Sequence, residues 1–166
     1  KVGGFGSLRH GQDIELSHRI HKSGARVKFL KNAVVYHRRR TTLKKFFRQV
    51  FNWGVARINL GKIDKSMLEP IHFLPAAATL LTILVIMGSL VNPPVFFPIF
   101  LFGITSLLLM SIIAVYQSKS IKVGFYTSLT IPFQIFGYGL GFIIQFIKRY
   151  IFGMGEWRGF SKRYYH

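Results

Sequence analysis

"HFLPAAATLLTILVIMGSLVN", residues His72 to Asn92, runs for 21 positions without an Asp, Glu, Lys or Arg. A helix crosses a bilayer core of roughly 30 Å with about 20 apolar residues, so this stretch is long enough to span. Two more uncharged runs follow, Val95 to Gln117 and Phe125 to Ile147. A soluble protein would need a large partner to cover so much Phe, Leu and Ile, and three such runs in series read as membrane helices. Pro93 and Pro94 turn the chain between the first and second, and "SKSIK" links the second to the third. Within the third run, Pro132, Gly137, Gly139 and Gly141 weaken a simple helix, although lipid and neighbouring helices tolerate them.

Outward from these runs the composition changes at about Pro70. Residues 1 to 71 carry 16 of the 23 Lys and Arg, whereas residues 73 to 147 hold just Lys119 and Lys122. A net charge of +18 is compatible with nucleic acid in isolation. Beside apolar spans, a basic flank marks the cytoplasmic side and contact with anionic lipid, so membrane lipids are the expected partner and nucleic acid is not. The chain has no Cys, which excludes disulfides, thiolate metal sites and thiol nucleophiles. It opens on Lys1 rather than Met, and a basic segment of 71 residues would bury only about 60% of its unfolded surface. A piece of a longer protein is therefore expected, one that needs its remainder to fold.

The basic half begins with "VGGFGS", a loop in which glycines permit torsions closed to other residues and let a ligand approach. A helix is expected next, with Asp13 at its N-cap or first turn, Leu16 and Ile20 on one face, and Gly24 as its stop. "ARVKFL" alternates basic with apolar residues and "NAVVYH" is β-branched, which predicts two short strands parted by Lys31 and Asn32. From Thr41 the period becomes helical: Leu43, Phe46, Phe47, Val50, Phe51, Gly54 and Ile58 fall on one face, and Lys44, Lys45, Arg48, Gln49 and Asn52 on the other. Such a helix lies either in the headgroup plane or, by the same periodicity, over a domain core.

The chain holds five acidic residues, and Asp13 sits among basic ones directly behind the glycine loop. Two readings stand: a cap on backbone N–H groups, or a base kept ionised by the helix terminus, Arg9 and Arg19 and ready to take a proton from a substrate hydroxyl. Glu15 makes no acid pair with it, because residues two apart on a helix do not face each other. One base without a paired acid suits displacement of an intrinsically good leaving group such as a sugar diphosphate. His18 and His21 read as surface residues. His37 closes a predicted strand and precedes Arg38, Arg39 and Arg40, a run that suits either a pyrophosphate or lipid headgroups.

"GGFG", "HGQDIELSHRI", "AVVYH" and "FFRQVFNWGVAR", in that order ahead of apolar spans, resemble the closing third of an inverting family 2 glycosyltransferase with a GT-A catalytic domain. In that family a Gly-Gly-Phe loop precedes an acidic dipeptide whose final Asp is the general base, and the resemblance puts this role on Asp13, with Gln12 where Glu is usual. It further implies that Gly3 and Gly4 lie near the acceptor. A His late in the catalytic domain helps hold a divalent metal, Mg or Mn, and the diphosphate, a place matched by His37 with Arg38, Arg39 and Arg40 alongside. Gln49 and Trp53 resemble the ends of a Gln-any-any-Arg-Trp pattern near the acceptor channel. The absent Arg argues against a processive synthase.

The expectation is thus an α/β fragment of a GT-A domain followed by an α-helical membrane region. Residues 1–40 would close the catalytic domain, 41–71 form the amphipathic helix and linker, 72–147 the spans (72–92, 95–117, 125–147), and 148–166 a basic tail. The implied function is the acceptor-side, membrane-anchoring part of a multi-pass transferase facing the cytoplasm, moving a sugar from a nucleotide-sugar donor to a lipid-linked or glycan acceptor. By itself it should do no chemistry. The alternative is a non-catalytic basic anchor or assembly subunit on anionic lipid. Three full crossings would leave the tail opposite residues 1–71, whereas a third segment bent near Pro132 would return it; length and the lack of shielding for a bent segment favour three crossings.

Overall fold

The computed structural model describes residues 2–36, 42–157 and 159–160. Its regular structure is helical: α1 (Gln12–Lys22), α2 (Leu43–Ile63), α3 (Leu74–Val91), α4 (Pro93–Ser118) and α5 (Ile121–Phe146), with two short 3₁₀ turns at Lys65–Met67 and Pro70–Phe73 and a π-helical turn at Ile147–Ile151.

The α/β expectation is overturned. Among the described residues there is no strand, and Ala25–Tyr36, where two were expected, is irregular. Val27, Phe29, Val35 and Tyr36 stand 76%, 89%, 87% and 96% exposed. A strand is stabilised by the edge and face of its neighbours, and no other described segment comes forward to pair with this one. His37, with Arg38 to Arg40, lies outside the described residues.

The three apolar runs form helices long and apolar enough to cross a membrane, Pro70–Val91, Pro93–Ser118 and Ile121–Ile151. The third run is one continuous helix through Pro132 and its glycines. Those glycines are contact points. A Cβ on Gly141 would overlap the Phe51 carbonyl of α2, one on Gly139 would overlap Thr79 of α3, and one on Gly137 would press on Phe47 at 3.3 Å. Gly54 of α2 answers from the other side, lying against the backbone of Tyr138 and Phe142. Small residues let helix backbones approach closely, which compensates for their cost in an isolated helix. The aromatic face of α2 is consequently covered by α5, with Val50, Val55 and Ile58 fully buried.

Phe73 meets Phe142 edge-on at 4.9 Å, and the Thr79 hydroxyl donates to the Ile135 carbonyl at 3.2 Å, so the entry to α3 lies against the second half of α5. The middle helix packs Phe96 against Gly88 of α3 and Val115 against Gly124 of α5. The segment after α5 packs back against α2, where Asn52 bonds the backbone of Phe160. Between α3, α4 and α5 lies an apolar cavity of about 540 Å³, lined by residues such as Val85, Phe100, Leu107 and Phe136.

Candidate functional site

The glycine loop is folded back over α1 by one ion pair. Glu15 is buried, and Arg19, one turn on, grips it through Nε and again through Nη2 at 2.8 Å. The same guanidinium donates to the carbonyls of Val2 and Gly4, closing the loop. Gly3 and Gly4 take φ of 75° and 68°, left-handed values that favour glycine. The Arg19 bond holds the Glu15 carboxyl below its usual range, and Glu15 in turn raises the guanidinium's affinity for its proton. Arg19, expected beside Asp13, is thus spent on Glu15 and the loop.

Asp13 lies in the first turn of α1 and is exposed. The cap is Gly11, left-handed at φ 80°, and no side chain bonds the helix start. Asp13 therefore does not cap. The remaining acids are engaged. Asp64 accepts from Lys22, from His18 at 3.0 Å and from Ser66, which together hold its carboxyl far below the usual carboxylate range and tie the end of α2 to α1. Glu69 accepts from the backbone of the Pro70–Phe73 turn, and Glu156 accepts from the Arg9 N–H at 3.2 Å. Of the five acids, Asp13 is the one without a hydrogen bond or ion pair among the described residues.

The approach to Asp13 is built on α2. Leu8 is buried with Leu60 and Met67, and a Cβ on Gly11 would meet Leu60 at 3.1 Å and Ala56 at 3.6 Å. Ala56 lies about one turn beyond Trp53 on α2. Trp53 is 45% exposed and Gln49, one turn earlier on the same face, is half-buried. The loop before Asp13 and the Gln49–Trp53 face thus share one side of α2. In the five-residue pattern that Gln49 and Trp53 bracket, Asn52 occupies the place of the Arg.

That asparagine is one of several polar residues whose role the sequence did not show. Its Nδ2 donates to the Phe160 carbonyl and its Oδ1 accepts from the Phe160 N–H, both at 2.8 Å. Asn59, seven residues on and so on the same face, donates to the Trp157 carbonyl at 3.4 Å and accepts from the fully buried Gln145 at 2.6 Å. Two asparagines at that spacing on an apolar helix were the available signal. Among the described residues no three His, Asp or Glu side chains gather as a metal site; His37, the one ligand expected here for Mg or Mn, lies outside them, and the other ligands were expected in a preceding part of the protein.

The family model of glycosyl transferase family 21 matches residues 1–163. No curated protein and no solved structure matches the chain.

Proposed function

The chain belongs to glycosyl transferase family 21, a membrane-associated glycosyltransferase by its apolar helices, and on that premise we propose that Asp13 is the base that activates the acceptor. The sequence resemblance pointed to a glycosyltransferase of family 2, and the match supports the glycosyltransferase class through family 21. The donor would be a nucleotide sugar. The acceptor hydroxyl attacks the anomeric carbon from the face opposite the nucleotide diphosphate; the new glycosidic bond forms as the bond to the diphosphate breaks, and the hydroxyl proton passes to Asp13. Inversion follows from a single displacement.

The observation that carries this reading is the freedom of Asp13. Every other acid in the chain serves a structural bond, whereas Asp13 is exposed in the first turn of α1 and does not cap its helix. A base must reach its proton in the substrate pose, which an engaged carboxylate could not. Gln49 and Trp53, on the same side of α2, would line the acceptor's approach. The apolar cavity among α3, α4 and α5 favours a lipid-linked acceptor over a soluble glycan, since its lining of Leu, Ile, Val, Phe and Met suits a hydrocarbon chain.

Positioned bases contribute roughly 10²- to 10⁴-fold in rate. Asp13→Asn in the full-length enzyme should lower kcat by about that factor and leave the donor KM nearly unchanged. Turnover within a few-fold of wild type would remove Asp13 from the chemistry.

A further inference from the structure

The segment after the π-helical turn, residues 152–157 with 159 and 160, is bound to the rest of the molecule by more than apolar contact. Asn52 pairs with both backbone groups of Phe160, as a neighbouring strand would. An Arg in its place has no acceptor and could make only half of that pair. Gly159 is left-handed at φ 57°, and a Cβ there would overlap the Asn52 side-chain Oδ1. Phe51 meets Trp157 edge-on at 5.6 Å and Phe160 at 5.0 Å. The Lys148 ammonium lies 3.9 Å from the centre of the Trp157 ring, and Asn59, itself held by a donor bond from Gln145, donates to the Trp157 carbonyl. What this strap carries forward is Glu156, whose Oε1 accepts from the Arg9 N–H across 147 positions of sequence.

Arg9 lies between the two anchors of the loop that leads into α1, buried Leu8 and left-handed Gly11. Asp13 comes four residues later. We propose that Glu156 is a positioning residue for Asp13: it fixes the Leu8–Gly11 loop through the Arg9 amide and so sets where the first turn of α1 presents its carboxylate. The strap, held by Asn52 and Asn59, makes that setting depend on the end of the last membrane helix. This assignment rests on the reading of Asp13 as the base. Misplacing a catalytic group by about 1 Å costs up to 10²-fold, and Glu156 is where that placement is controlled.

The required group on Glu156 is an acceptor oxygen, not a charge, so Gln should replace it and Ala should not. In the full-length enzyme Glu156→Ala should lower kcat roughly 10- to 100-fold with donor KM unchanged, and Glu156→Gln should stay within about twofold of wild type. Amide exchange across residues 8–11 should speed up in Glu156→Ala but not in Glu156→Gln, a readout independent of turnover. In an Asp13→Asn background Glu156→Ala should add no further loss, because it acts through Asp13. Equal losses in the Ala and Gln variants, a rise in donor KM in place of the fall in kcat, or unchanged exchange at residues 8–11 would overturn the proposal. If Asp13→Asn is itself fully active, the base assignment fails; if Asp13→Asn is inactive while Glu156→Ala keeps full turnover and protection, the positioning role alone fails.

Discussion

The helix α2 and the segment Ala25–Tyr36 carry the same kinds of residue, Val, Phe and Ile or Leu interleaved with Lys and Arg, and end in opposite states. In α2, Val50, Val55 and Ile58 are wholly buried; in the other segment Phe29 and Val35 are nearly bare. The difference lies in the partner. α5 offers Gly137 and Gly141 to α2, and α2 offers Gly54 in return, so two backbones meet. Nothing described comes forward to meet Ala25–Tyr36. An apolar pattern states what an element could bury, and a complementary surface decides whether it does.

The hardest blow to this contrast is at Gly54. Its Cβ position is occupied by the Tyr138 carbonyl oxygen and lies 2.7 Å from the Phe142 nitrogen, backbone that cannot step aside. Gly54→Leu should cost about 3 kcal/mol or more, read as lost thermal stability in detergent. A wild-type melting temperature would mean that α2 and α5 do not pack as described.

An intermediate effect is expected at the glycine loop, held by the Glu15–Arg19 pair rather than by packing. Because Glu15 is more acidic folded than unfolded, its contribution is complete above the ordinary carboxylate range of about 4 and is lost as pH falls through its lowered value. Amide exchange at residues 2–6 should therefore be unchanged from neutral pH down to that range, after correction for intrinsic rates, and lose protection below it. Loss of protection already near pH 6 would assign the clamp to another group. Smallest of all is Phe29→Ser, which should alter the stability of this chain by no more than about 0.5 kcal/mol, against several for Val50→Ser. A comparable cost at both would show that Phe29 is packed after all.

Elements with one dominant signal were legible in the sequence. Run length gave the three apolar helices and the 3.6 period gave α2. The two strands were misread because β-branched alternation describes a face and not its neighbour. The glycines of the third run were read as weakness in an isolated helix, yet Gly139 and Gly141 are where α3 and α2 reach α5. At the candidate site, the sequence placed Asp13 in the first turn of a helix behind its glycine loop, where it lies, but assigned Arg19 to it when the guanidinium pairs with Glu15. Glu156 and Gln145 were out of reach. Their partners lie 147 and 86 residues away, and no local spacing records such a bond.

The central claim is a division of labour between two neighbouring acids, Asp13 free to react and Glu15 holding the loop. The direct test compares Asp13→Asn and Glu15→Gln in the full-length enzyme, measuring kcat and melting temperature for each. Asp13→Asn should lower kcat by roughly 10²- to 10⁴-fold and leave the melting temperature unmoved, whereas Glu15→Gln should lower the melting temperature and weaken protection of residues 2–6. The reverse outcome, a stable but inactive Glu15→Gln beside an active Asp13→Asn, would contradict the account.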